Sequence, residues 1–181
     1  YGKKKDQAPA ATVEAEDGYS GMFPEILQWD ERWGYSPYGT SIIAVSGCGP
    51  TCVSMLVVGL TGDKTVTPSV VADYATQNHY VDENNDTTWA FMTSGVEHWG
   101  LTCRESNGNE SEIAKELEAG HPVICSMRPG DFTDIGHFII LTSYNNGNVT
   151  ICDPFSLENS KKSWNYSQIS SQIKAVWVYS K

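Results

Sequence analysis

Gly47-Cys48-Gly49-Pro50-Thr51-Cys52-Val53-Ser54-Met55-Leu56-Val57-Val58-Gly59-Leu60 is the stretch on which the reading of this chain turns. Proline suits the start of a helix, and Gly59 and Gly62 sit near its end, so the pattern predicts a helix from about Pro50 to Leu60. Cys48 falls just ahead of that start, between two glycines that would let the backbone come close to a substrate. The unpaired N–H groups and positive dipole end of a helix favour a thiolate, the reactive form of cysteine. Cys52 lies one turn further in, in line with Met55 and Leu56, and reads as core. A structural cysteine at a tight turn fits the local sequence around Cys48 equally well.

Outward from this stretch the helical pattern continues. Thr67-Pro68 is a cap followed by proline, and it opens a second helix to about Asn78 with Val70, Val71 and Tyr74 on one face. A third helix is expected over Thr88 to Trp99. A fourth covers Glu110 to Ala119, with Ile113 and Leu117 four apart and a stop at Gly120. After Gly120 the period changes. Pro122 to Met127, His137 to Tyr144 and Val149 to Asp153 read as strands. A short helix at Tyr166 to Ile173 and a last strand at Ala175 to Tyr179 follow. Helices first and strands second predict an α+β fold, with an N-terminal helical part packed on a mostly antiparallel sheet.

Composition sets the outer limits. The 181 residues are 40% hydrophobic and 11% aromatic, with six Trp, which suffices for a real core. Twelve basic against 22 acidic residues leave a net charge of -10, which repels phosphate backbones and anionic membranes. No apolar run is long enough for a membrane span. Five cysteines are an odd number, so at least one stands outside any intrachain disulfide. Residues 1–22 have almost nothing to bury and read as a flexible leader ahead of a domain at 23–181. Lys3-Lys4-Lys5 has no apolar run after it, as a signal peptide would. It reads as a tether following a removed signal or anchor.

A thiol nucleophile needs a base within hydrogen-bond reach and a third group to orient that base. Of the four histidines, His137 stands between Gly136 and the apolar run Phe138-Ile139-Ile140-Leu141, where a buried strand would hold the ring rigidly. His79, His98 and His121 read as surface or capping residues. A core histidine is the plainer alternative for His137. A three-residue loop at Asn145-Asn146-Gly147 would pair Tyr144 with Asn148 and Ile139 with Asp153. Asp153 would then share a face with His137 as its diagonal neighbour. A two- or four-residue loop without a bulge would turn Asp153 to the other face.

Several spaced motifs carry a resemblance. Gln28-Trp29-Asp30-Glu31-Arg32-Trp33-Gly34-Tyr35, Gly47-Cys48-Gly49-Pro50-Thr51, Gly130-Asp131-Phe132-Thr133, Gly136-His137-Phe138 and Cys152-Asp153-Pro154 resemble the standalone members of peptidase family thirty-nine. These are relatives of the double-glycine leader peptidases within the papain-like cysteine peptidases. The resemblance spans about Phe23 to Lys181. It implies a papain-like fold and hydrolysis of a peptide bond through a thioester. In that reading Cys48 is the nucleophile, His137 the base, Asp153 its orienter and Gln28 the oxyanion donor. It implies no cofactor and no metal, a peptide or protein substrate, and a bacterial protein at the cell surface or outside the cell. A monomer is expected. Trp29, Trp33 and Tyr35 read as packing for their loop. Two other readings stay open: a silent peptide- or cell-wall-binding module of the same fold, and an acyl transferase. Asp82-Glu83-Asn84-Asn85-Asp86 hints at a calcium loop, but Thr87 and Thr93 stand where an EF-hand needs Gly and Glu.

Overall fold

The computed structural model describes residues 11–14 and 17–181. Two short hairpins come first, β1 (Tyr19–Ser20) with β2 (Phe23–Pro24), and β3 (Pro37–Tyr38) with β4 (Ser41–Ile42). The helical part follows: α1 (Ile43–Ser46), α2 (Cys48–Thr61), α3 (Pro68–Gln77) and α4 (Trp89–Thr93), the last leading into a 3₁₀ turn at Gly95–Trp99. Next come β5 (Thr102–Ser106), α5 (Glu110–Glu118), β6 (Val123–Met127), β7 (His137–Asn145) and β8 (Asn148–Cys152). The chain closes with α6 (Leu157–Lys161), β9 (Ser163–Asn165), α7 (Tyr166–Ser170) and β10 (Ile173–Ser180). The large sheet has the order β5-β10-β6-β7-β8-β9, and every neighbouring pair is antiparallel. The α+β expectation therefore holds.

Both faces of this sheet are covered. On one, Cys52, Met55 and Leu56 of α2 share a core with Phe138, Ile140, Cys152 and Trp177. On the other, Ile113 and Leu117 of α5 pack with Ile139, Leu141, Val149, Ile151 and Val178. That is why Phe138 to Leu141 is a continuous apolar run and not an alternating one: successive side chains of β7 point into two cores. The edge strands are the ones the sequence hid. β5 is polar and largely exposed, and β9 is three residues long, which suits an edge but leaves no hydrophobic period to read.

Some expectations need correction. The leader does not extend to residue 22 as a free segment. Val13 is buried in the first core, its N–H bonds the Lys64 carbonyl at 2.9 Å, and Tyr19–Ser20 pairs as a strand. The tether expected at Lys3-Lys4-Lys5 lies outside the described residues. The buried stripe of α3 is Val71, Ala72 and Ala75, while Val70 is 45% exposed; small side chains let α3 lie close to α2. The single helix expected over Thr88 to Trp99 is broken at Ser94, where Phe91 presses on the bare Cα of Gly95. No helix among the described residues is long and apolar enough to cross a membrane.

Candidate active site

The site begins at the joint between α1 and α2. A Cβ on Gly47 would lie 2.5–2.7 Å from side-chain and backbone atoms of Ile43, and one on Gly49 would lie 2.1 Å from Thr87 Oγ1. Both glycines thus admit the protein's own neighbours, which corrects the expectation that they open the backbone to a substrate. α2 starts at Cys48, two residues ahead of Pro50. The Cys48 N–H accordingly belongs to the first turn, whose donors have no partner within the helix. Gly47 anchors that turn, its carbonyl accepting from Thr51 N at 3.0 Å and Thr51 Oγ1 at 2.7 Å. Cys48 is half-buried at the cleft. Cys52, one turn on, is fully buried, its thiol donates to the Phe138 carbonyl at 3.4 Å, and burial pushes its pKa well up. The two thiols are separated by environment, as the sequence predicts.

His137 opens β7 and Asp153 follows the end of β8. The hairpin joining these strands differs from the expected one. Asn145 pairs with Asn148 across a two-residue turn, Asn146-Gly147, in which both residues have positive φ (49° and 86°). Taken alone, that turn would send Asp153 to the wrong face. The ladder, however, shifts between Leu141 and Ser143. Thr142 and Ser143 both face Thr150, whose hydroxyl meets theirs at 2.7 and 2.6 Å. This bulge absorbs the residue that the loop does not, and beyond it Ile140 pairs with Cys152. Continued by one step, the register sets Ile139 opposite Asp153, as expected.

The result is a direct contact. His137 Nε2 and Asp153 Oδ1 are 2.7 Å apart, with side chains 8% and 1% exposed. Burial alone would pull the imidazole pKa down. Hydrogen bonding to Asp153 and to Cys48 outweighs it and lifts the pKa to about 9. With Nε2 on Asp153, Nδ1 is the ring nitrogen left for the Cys48 sulfur. Asp153 is itself held at both oxygens. Oδ1 also accepts from the Phe155 N–H at 2.9 Å, and Oδ2 accepts from Asn159 Nδ2 at 3.0 Å. The Asp153 N–H donates to Ser160 Oγ at 2.8 Å. The sequence reading missed Asn159 and Ser160 because α6 was not foreseen. Ser156, which caps α6 by accepting from the Asn159 N–H at 3.0 Å, was the available signal.

Gln28 is 3% exposed and lies between the two halves of the site. Its N–H donates to the Pro154 carbonyl at 2.7 Å, beside Asp153. Its Nε2 donates to the Ile43 and Ala44 carbonyls in α1, both at 3.3 Å, while Oε1 is buried without a partner among the described residues. The amide nitrogen expected to face a substrate oxyanion is thus turned to the backbone just ahead of Cys48. The neighbouring aromatics divide. Trp33 is buried with its indole N–H on the Leu27 carbonyl, as packing requires, but Trp29 and Tyr35 are exposed, Trp29 donating to the Phe155 carbonyl at 2.8 Å.

Cys48 and His137 open onto one cleft of about 580 Å³. Asp82, Asp86 and Trp89 line it together with Arg128 and Lys174. The acidic loop is a turn in which Asp82 Oδ1 accepts from the N–H groups of Asn84 and Asp86, both at 2.9 Å. Among the described residues no group of three or more potential ligands could hold a metal ion. The five cysteines are all free.

A family model described as the Peptidase_C39 like family matches residues 13–181. Among solved structures, the peptidase domain of Streptococcus ComA, a bi-functional ABC transporter involved in a quorum-sensing pathway, superposes with a TM-score of 0.53 at 13% identity. The match covers 76% of this chain and 93% of that one. A C39-like peptidase from Bacillus anthracis matches at 18% identity with a TM-score of 0.44, over 75% of this chain and 88% of its own. No curated protein matches the chain. The fold is that of the papain-like C39 peptidase domains.

Proposed function

Because the chain belongs to the Peptidase_C39 like family, we propose that it is a cysteine peptidase working through Cys48, His137 and Asp153. The observation that carries this reading is the 2.7 Å contact between a buried imidazole and a buried carboxylate, formed at the mouth of the cleft that Cys48 shares. In the reaction, His137 takes the proton of the Cys48 thiol and the sulfur attacks the substrate carbonyl carbon. Negative charge moves to the carbonyl oxygen, where the N–H of Cys48 at the start of α2 is available to meet it. The C–N bond breaks, His137 gives its proton to the departing amine, and a thioester remains. Water, deprotonated by His137, then hydrolyses that thioester and returns the thiol. Asp153 holds the ring in one orientation and supports its positive charge at each stage. A peptide or protein is the substrate, and the cell surface or exterior is the proposed setting.

A silent binding module of the same fold is the competing reading, and one observation favours it. The Gln28 amide nitrogen is tied to the carbonyls of α1, so oxyanion stabilisation from this side chain requires it to turn. Profiling on a peptide library separates the two. The wild-type protein should cleave, and Cys48→Ala should lose about 10⁴-fold or more in kcat while keeping its fold. Equal cleavage by both would sink the assignment, and none by either would leave the binding module.

A further inference from the structure

α6 has only five residues, yet two of its side chains meet Asp153: Ser160 at the backbone and Asn159 at the carboxylate. The Asp153 carboxylate is almost wholly buried, and an ionised carboxylate in such a place must have its lone pairs met. Its Oδ1 faces His137 Nε2 and the Phe155 N–H; the Asn159 amide supplies the hydrogen bond to Oδ2. The amide must present nitrogen there, since its oxygen would face another acceptor. Asn159 is in turn placed by the Ser156 cap, and its side chain makes this one hydrogen bond among the described residues.

We propose that Asn159 is a positioning residue of the site: by holding Oδ2 of Asp153, its side-chain amide keeps Oδ1 on the imidazole of His137. A carboxylate released at Oδ2 can rotate about its Cβ–Cγ bond, and each rotation misaligns the oxygen that orients the ring. The role in catalysis rests on the peptidase reading; the placement of the carboxylate does not.

The test is therefore made on the ring itself. With Cys48→Ala as background, the His137 imidazole is titrated by NMR, with Asn159 intact and with Asn159→Ala. The groups that face the ring or share its cleft are Asp153, Asp82, Asp86, Arg128 and Lys174, and all stay unchanged in the pair. The expected result is a fall of about one unit or more in the apparent pKa of His137, toward its ordinary value near 6.5. In the protein with its thiol, the limb of the kcat/KM profile that His137 sets should move down with it, and kcat/KM should fall about ten- to a hundredfold. Asn159→Gln, which keeps a donor amide, should recover part of both. Should Asn159→Ala fail to fold, Asn159→Ser, too short to reach Oδ2, takes its place with the same expectation. An unmoved His137 pKa overturns the proposal even if activity falls, because a general structural role would give that result. A lowered pKa in a protein that cleaves no peptide keeps the proposal and removes only the peptidase reading.

Discussion

The helical half of the site and the sheet half are held by different physics. Cys48 is placed by steric approach: Gly47 lies against Ile43, Gly49 against Thr87, and the thiol stands at the start of α2 because no larger residue fits on either side. His137 and Asp153, sixteen residues apart, are placed by sheet register and a set of hydrogen bonds that reaches from β7 to α6. The first arrangement tolerates almost no added volume. The second tolerates volume but not the loss of a donor or acceptor. A nucleophile held by one mechanism and an acid–base pair held by the other can accordingly be disturbed separately.

The largest separation is expected from Asp153→Asn. It leaves the helical half untouched and, by removing the charge and turning one of the two acceptor oxygens into a donor, should cost about 10⁴-fold in kcat. The His137 pKa should drop from about 9 toward 6.5. Because the folded-state value lies above the unfolded one, the stability linked to this group is complete below about pH 6.5 and is lost as pH rises through about 9. Thermal melts across that window should show this decline in the wild type and a flatter curve in the variant. Gly47→Ala attacks the other half. Its new Cβ meets backbone atoms of Ile43 that cannot swing aside, so a stability loss of about 1–3 kcal/mol is expected in denaturant titrations. Cys48 moves with the joint, and kcat/KM should fall about a hundredfold while the His137 pKa loses the Cys48 contribution and keeps the one from Asp153.

The smallest effect sharpens the comparison. Deleting Thr142 removes the bulge residue and leaves Ser143 opposite Thr150 and Leu141 opposite Ile151, in a regular ladder. Ile139 still faces Asp153, so the His137–Asp153 contact and its titration should survive. The lost hydroxyl contacts of Thr142 to Ser20 and Thr150 should cost about 1 kcal/mol in unfolding measurements. A collapse of the His137 pKa in this variant would show that the bulge geometry, beyond the residue count, aims the carboxylate.

That hairpin also shows how far the sequence could be read. The pairing of Ile139 with Asp153 depends on how many residues loop and bulge together leave out of the ladder, so the expected pairing stands with a loop one residue shorter than expected. The extra residue sits in the strand because Asn146-Gly147 forms a favourable two-residue turn with both φ positive. Trp29 and Tyr35 show the opposite case, since aromatic identity alone does not say which ring a loop turns inward. The orientation of the Gln28 amide was likewise beyond reach, because it depends on where the carbonyls of α1 fall.

By itself, the sequence determined the helix behind Cys48, the strand behind His137, the α+β order of elements and the distinction between Cys48 and Cys52. These follow from local spacing, capping and periodicity, which act within a few residues and leave a trace in the residue pattern. Only the tertiary structure decided that α6 folds back on Asp153 to supply Asn159 and Ser160, that the glycines beside Cys48 admit Ile43 and Thr87, and that Gln28 bridges the two halves. Those contacts join segments far apart in the chain. Polar partners and close approaches at such separations carry no periodic signal, since a hydrogen bond or a missing Cβ is specified by where two surfaces meet.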